Sequence, residues 1–243
     1  MRRNYERRPR YMEMGVILLV SEILNIGYDV IPPVTLFTVI GQILLYVEAF
    51  EVPWSKWDIC ISGKKVLYDR NYKTLILSCF EHGDDMHLYY NMISFLIKGR
   101  SLEPLYSSAN FALLLAIISL MTSSIYVALA YSLFNVTQDY SILNSCSIGF
   151  SGVIFALKII TTDNATGESF VSGFRVPTKY VAWAELIAIH MLVPNSSFLG
   201  HLAGIIAGLL YVKTPLKRII DNALTTITGV PLNFYRNYRY RYR

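Results

Sequence analysis

The sequence predicts an all-α, polytopic membrane protein, and three observations carry that prediction. Of 243 residues, 53% are hydrophobic and 16% are charged, against about 25% charged in an ordinary soluble domain. Pro104 to Gln138 contains no charged residue, and a helix needs about 20 apolar residues to cross a bilayer. Leu186 to Val212 is also uncharged, interrupted by Pro194, Asn195, Ser196 and Ser197. A water-soluble globule, a disordered tail and a disulfide-rich secreted domain all fit this composition poorly.

Six spans are expected. The first, roughly 32 to 50, follows Ile31-Pro32-Pro33, where proline suits a helix start. The second, roughly 85 to 102, is apolar on one side and carries His87 and Asn91. The third, roughly 109 to 132, sits inside the long uncharged run. The fourth, roughly 148 to 162, follows a polar loop. The fifth and sixth, roughly 177 to 193 and roughly 198 to 213, are the two halves of the run broken at Pro194. Met14 to Ile26 is shorter and includes Glu22 and Asn25. It reads as a helix lying at the membrane surface, in preference to a seventh span or a signal segment. The chain thus divides into a basic N-terminus with an interfacial helix (1–31), a six-helix domain (32–213) and a short basic tail (214–243).

The net charge of +5 is concentrated at the ends. Arg2, Arg3, Arg7, Arg8 and Arg10 face a single Glu6, and Arg236, Arg239, Arg241 and Arg243 face no acid. An even number of spans places both termini on one side. Lys98, Arg100, Lys158, Arg175 and Lys179 then fall on that side, while the loop Asn135 to Cys146 has Asp139 and no Lys or Arg. This is the positive-inside pattern, with both termini cytoplasmic. Tyr238, Tyr240 and Tyr242 alternate with the tail arginines, as in segments that stack on RNA. No folded nucleic-acid module accompanies them, so no nucleic-acid partner is expected.

Cys60, Cys79 and Cys146 lie in or near far-side loops; an odd count defines no framework, and a Cys60–Cys79 bridge is one open pairing. CxxC and HExxH spacings are absent, so no metal is expected. Asn135-Val136-Thr137 is a glycosylation sequon on the far side.

Polar side chains inside spans are costly and by default point to function. Ser151, in Gly149-Phe150-Ser151-Gly152, opens the fourth span; by itself a serine there is more commonly a helix cap. It is not the Gly-x-Ser-x-Gly elbow, because Val153 takes the last position. His201 opens the sixth span in Gly200-His201-Leu202-Ala203-Gly204, continued by Gly208. Gly204 and Gly208 form a small face matched by Gly152 and Ala156, which lets the two helices approach closely. Helix packing explains these glycines but leaves an imidazole in the seam. His87 and Asn91 share a face at i and i+4, and both can donate to an oxyanion; a structural bond between helices is the alternative. His82 reads as a loop-ordering residue and Glu103 as a structural carboxylate at a helix end. Glu185, with His190 nearby, reads as packing. Ser151, His201, His87 and Asn91 all fall about a turn below the far surface. A nucleophile, a base and oxyanion donors at one depth make a hydrolytic site that water reaches from one side.

At these residues, over roughly 32 to 212, the sequence resembles the rhomboid intramembrane serine proteases. The resemblance rests on Gly149-Phe150-Ser151-Gly152, on Gly200-His201-x-x-Gly204-x-x-x-Gly208, and on His82-x4-His87-x3-Asn91 followed by Glu103. It implies a six-helix rhomboid-like bundle and a dyad in which Ser151 is nucleophile and His201 is base. His87, Asn91 and the Ser151 backbone N–H would form the oxyanion hole, with no cofactor. It further implies transmembrane protein substrates and a place in endoplasmic reticulum membrane-protein quality control. Two departures stand out. The Trp-Arg pair of the first loop is missing, Trp54 and Trp57 being followed by Ser55 and Asp58. The tail lacks the acidic amphipathic helix that binds ubiquitin in the most similar subgroup, which leaves Arg236 to Arg243 as the candidate contact with the p97 segregase. Three rivals remain: a non-catalytic, derlin-like binder of misfolded membrane proteins, favoured by Ile31 to Thr35; a transporter; and a structural organiser. Retention of both Ser151 and His201 argues against the first, the lack of an acidic chain against the second.

Overall fold

The computed structural model describes residues 13–193 and 196–233. They fold into α1 (Met14–Ile26), α2 (Pro33–Tyr46), the short α3 (Lys56–Ile59), α4 (Gly63–Leu67) and α5 (Thr74–Leu77), then α6 (Asp85–Tyr106) and α7 (Ser108–Thr137). After the short α8 (Tyr140–Asn144) come α9 (Ser151–Thr162), the strands β1 (Glu168–Val171) and β2 (Phe174–Pro177), α10 (Val181–Leu192), α11 (Phe198–Lys213) and α12 (Leu216–Thr228). A helix stands at each of the six expected positions. Among the described residues, α7 alone is long and apolar enough to cross a membrane by itself; α11 and α12 pass together but meet at 82°.

Local chemistry fixes where these helices begin. Pro33 opens α2, and the Glu103 carboxylate accepts from Val34 N at 2.9 Å and from Thr35 N and Oγ1 at 2.8 and 2.7 Å. A buried acid thus takes up the free N–H groups of the first turn. Asp84 caps α6 by accepting from His87 N at 2.8 Å, and Ser197 caps α11 by accepting from Gly200 N at 3.1 Å.

The main core joins α1, α2, α6, α7, α9 and α11 through Leu19, Val39, Phe95, Phe111, Val153 and Tyr211. α9 and α11 pack most closely, and the reason is steric. A Cβ at Gly204 would stand 2.0 Å from Gly152 O, and one at Gly208 would stand 2.7 Å from Ile159 Cβ. Only small residues let these backbones meet.

Several features differ from expectation. α1, expected at the membrane surface, packs against α6. Gly15 N donates to Asp85 Oδ2 at 2.7 Å, a Cβ at Gly15 would clash with Asp85 O, and Tyr46 at the end of α2 donates to Glu13 at 2.7 Å. Glu13 therefore lies at the end of the bundle where α6 begins, and Lys213 lies at the opposite end. The expectation that both termini share a face concerns residues 1–12 and 234–243, outside the described residues. Lys98 and Lys158 are buried inside the bundle, not in loops. Lys98 Nζ bonds Ser94 Oγ at 2.9 Å, and Lys158 pairs with Glu185 on α10, which satisfies both charges internally. The segment 168–177 is an antiparallel hairpin, and the expected plain tail contains α12, whose Ile220 and Leu224 are buried.

Candidate active site

Ser151 is the first residue of α9 and His201 the fourth of α11. The close glycine seam brings them together, with His201 Nε2 and Ser151 Oγ 2.9 Å apart. His201 Nδ1 is buried and has no hydrogen-bond partner among the described residues, so no carboxylate orients the ring. Phe155 does so instead, stacked on the imidazole at 4.8 Å between centroids and 30° between planes. Sequence reasoning missed Phe155; its position one turn after Ser151 on the same helix was the available signal.

His87 approaches from α6. Gly83 N donates to His87 Nδ1 at 3.3 Å, so that nitrogen is the acceptor and Nε2 carries the proton. A Cβ at Gly149 would stand 2.8 Å from His87 Nε2, and Gly149 has φ +120°. Glycine is required there on both counts, and the N–H of His87 is aimed at the turn that precedes Ser151. Asn91 Nδ2 donates to His87 O at 2.8 Å, so this amide spends one hydrogen on its own helix and keeps the other. His82 stacks edge-on against His87 at 5.1 Å.

The turn before Ser151 is fastened from outside the helices. Ile61 and Ser147 exchange two backbone hydrogen bonds of 2.8 and 2.9 Å, and Gly149 N donates to Ser78 O at 2.9 Å. Beside the Ile61–Ser147 bridge lies a Cys60–Cys146 disulfide, across 86 residues. The open Cys60–Cys79 pairing is therefore not the one formed; Cys79 is a buried free thiol. Trp54 donates to Glu81 at 3.2 Å, and Ser55 with Asp58 forms the capping box of α3, so the residues that depart from the Trp-Arg pattern order the first loop. A cavity of about 30 Å³ opens beside Ser151, lined by Ser78, Cys79, Thr122, Ser123 and Tyr126 among others. That is room for about one water, and the buried Thr122 hydroxyl has no hydrogen-bond partner among the described residues.

Of the remaining sequence candidates, Glu103 holds α2 as described, and His190 packs edge-on against Phe198 at 5.2 Å. No three His, Cys, Asp or Glu side chains group as metal ligands among the described residues. The arginines assigned to p97 lie outside the described residues.

A helical bundle with a serine and a histidine paired in a glycine-lined seam matches a known class. The Rhomboid domain matches residues 69–218, and the chain belongs to the rhomboid family. It is 41% identical over 219 residues to Rhomboid-related protein 4 of Mus musculus, covering 89% of this chain and 68% of that protein. The Homo sapiens protein of the same name is 39% identical over 218 residues, with the same coverage. Rhomboid-like protein 14, mitochondrial, of Arabidopsis thaliana is 40% identical over 186 residues, covering 75% of this chain and 56% of that protein. No solved structure matches the chain significantly.

Proposed function

We propose that this chain is an intramembrane serine endopeptidase that cleaves membrane-protein substrates near the membrane surface on the Ser151 side. The 2.9 Å pairing of Ser151 Oγ with His201 Nε2 carries the reading. Ser151 Oγ attacks the scissile carbonyl while His201 takes its proton; His201 then protonates the leaving amine. The Ser151 N–H, free at the helix start, is one oxyanion donor; His87 Nε2–H and the second Asn91 hydrogen are the others. Water from the cavity beside Ser151 hydrolyses the acyl-enzyme, His201 again taking and returning the proton. The protein supplies all the groups, and no cofactor enters the steps. Six traverses, formed by α2, α6, α7, α9, α10 and α11, enclose the site, and the segment after Lys213 faces the cytoplasm. Extended substrate backbone is tolerable at that depth only in a protein-lined, water-filled cavity.

The Cys60–Cys146 disulfide at the Ser151 end favours an oxidising compartment on that side. This supports an endoplasmic reticulum membrane with the site facing the lumen, and a role in disposing of misfolded membrane proteins. The test is co-expression of the intact protein, Ser151→Ala and His201→Ala with a single-span reporter containing a destabilised helix. Fragments made by the intact protein and by neither variant are expected. Cleavage by purified Ser151→Ala overturns the nucleophile. Reporter bound but uncut by all three overturns the protease reading in favour of a non-catalytic binder.

A further inference from the structure

We propose that the Cys60–Cys146 disulfide is a thiol–disulfide exchange site, opened by an external dithiol that attacks Cys146 and expels Cys60 as a thiolate held by Lys65. The consequence for cleavage rests on the protease reading above; the exchange itself does not. Local sequence builds the site. Cys60 closes α3, and two residues later Ser62 accepts from Lys65 N at 3.2 Å to start α4. From that first turn the Lys65 side chain reaches back over the loop. Its ammonium bonds the carbonyls of Trp57 and Asp58 and stands 3.1 Å from Cys60 Sγ and 3.9 Å from Cys146 Sγ. The Asp58 carboxylate is engaged by Ser55 N and Oγ at 2.9 and 2.8 Å. Lys65 forms no ion pair among the described residues, so its charge faces the sulfur uncompensated at close range.

The two sulfurs differ in the way exchange requires. Cys146 is exposed, whereas Cys60 is buried. A thiolate arriving from solvent therefore meets Cys146, and the bond that breaks leaves its electron pair on Cys60. Such a step quickens as the leaving thiol becomes more acidic, and a neighbouring ammonium makes it so. The first thiolate of the dithiol bonds Cys146 Sγ as the Cys60–Cys146 bond breaks. Its second thiolate attacks the dithiol sulfur of that mixed disulfide and releases Cys146. The bridge gains two electrons and two protons and becomes two thiols; the dithiol, which supplied them, becomes a disulfide. Ile61 and Ser147 remain hydrogen-bonded between neighbouring strands of chain, which keeps the opened cysteines within reach for the reverse step. Cys79 is buried and takes no part. Opening the bridge frees the first loop from the turn that precedes Ser151, and turnover falls.

The full chain in detergent micelles tests this, with glutathione and dithiothreitol as probes. Glutathione, a monothiol, stops at the mixed disulfide; N-ethylmaleimide then blocks the freed thiol, and peptide mapping locates both. Glutathione on Cys146 and maleimide on Cys60 are expected. Glutathione on Cys60 overturns the proposal, as does a bridge that opens only when the protein unfolds. With dithiothreitol, Lys65→Met should slow reduction about fivefold or more, and Lys65→Arg, which keeps the charge, by less than about twofold. Equal rates in all three proteins, or faster reduction of Lys65→Met, remove Lys65 from the step and overturn the proposal. Reporter cleavage is read on the unmutated protein before reduction, after it and after reoxidation, and should fall and recover. Undiminished cleavage by fully reduced protein overturns the effect on turnover. A chain that cuts no reporter in either state counts against the protease reading and leaves the exchange site standing, since mapping and reduction rates are read without substrate.

Discussion

Among the described residues, Ser151 and His201 are held without a third polar partner, so the orientation of the imidazole depends on packing. The Phe155 ring and the glycine seam hold the imidazole where serine hydrolases with a triad use a carboxylate. The other critical geometry is that of His87, whose tautomer is set by Gly83 N. His87→Ala should lower kcat about 10²–10³-fold, the usual loss for one oxyanion donor, about 2.7–4 kcal/mol. KM should change little; an effect confined to KM would remove His87 from the transition state. His82 makes a separate prediction. Burial, and then the nearby His87, hold its imidazole well below the ordinary value of 6.5. The unfolded chain therefore binds the proton more readily. Stability is complete above pH 6.5 and falls as the pH drops below it, by up to about 1.4 kcal/mol per pH unit. Thermal unfolding between pH 7.5 and 5 checks the sign, and His82→Phe should flatten that part of the slope.

Among the elements, the α9–α11 pair determines whether a site exists. Gly204→Val puts two methyls where even one carbon would be 2.0 Å from Gly152 O. The helices must separate, and overpacking of this kind typically costs about 1–3 kcal/mol. The expected result is a lower melting temperature together with lost cleavage, in contrast to Ser151→Ala, which should lose cleavage at an unchanged melting temperature. Equal melting temperatures for Gly204→Val and the intact protein would mean that the seam is looser than its geometry requires.

On the scale of the whole molecule, the first loop and the turn before Ser151 are one unit. The Cys60–Cys146 bridge, the Ile61–Ser147 pairing and the Gly149–Ser78 bond link segments far apart in the chain. Cys146→Ser should destabilise the protein by about 2–4 kcal/mol and, on the proposed function, reduce kcat by loosening the turn before Ser151. Cys79→Ser should leave the bridge intact on non-reducing electrophoresis. A Cys146→Ser variant with unaltered melting and turnover would show that the backbone bonds alone hold the turn.

The sequence by itself marked α1, α2, α6, α7, α9, α10 and α11 and the residues of the candidate site. Uncharged runs, the proline pair at Pro32-Pro33 and serine or aspartate caps are local signals, and they mark helices whatever the surroundings. Ser151, His201, His87 and Asn91 were legible because polar groups in apolar runs are rare and costly. The partner of Cys60 was not legible, because a bridge across 86 residues depends on where two loops meet. Nor was the place of α1, which a contact between Gly15 and Asp85 sets from another helix. The hairpin and α12 fell outside a reading tuned to long apolar runs, since a four-residue strand and an amphipathic helix each bury only part of their surface. Tertiary structure decided the 2.9 Å between Ser151 and His201. Glycine spacing allows two helices to touch, but only the packed bundle fixes their register and rotation.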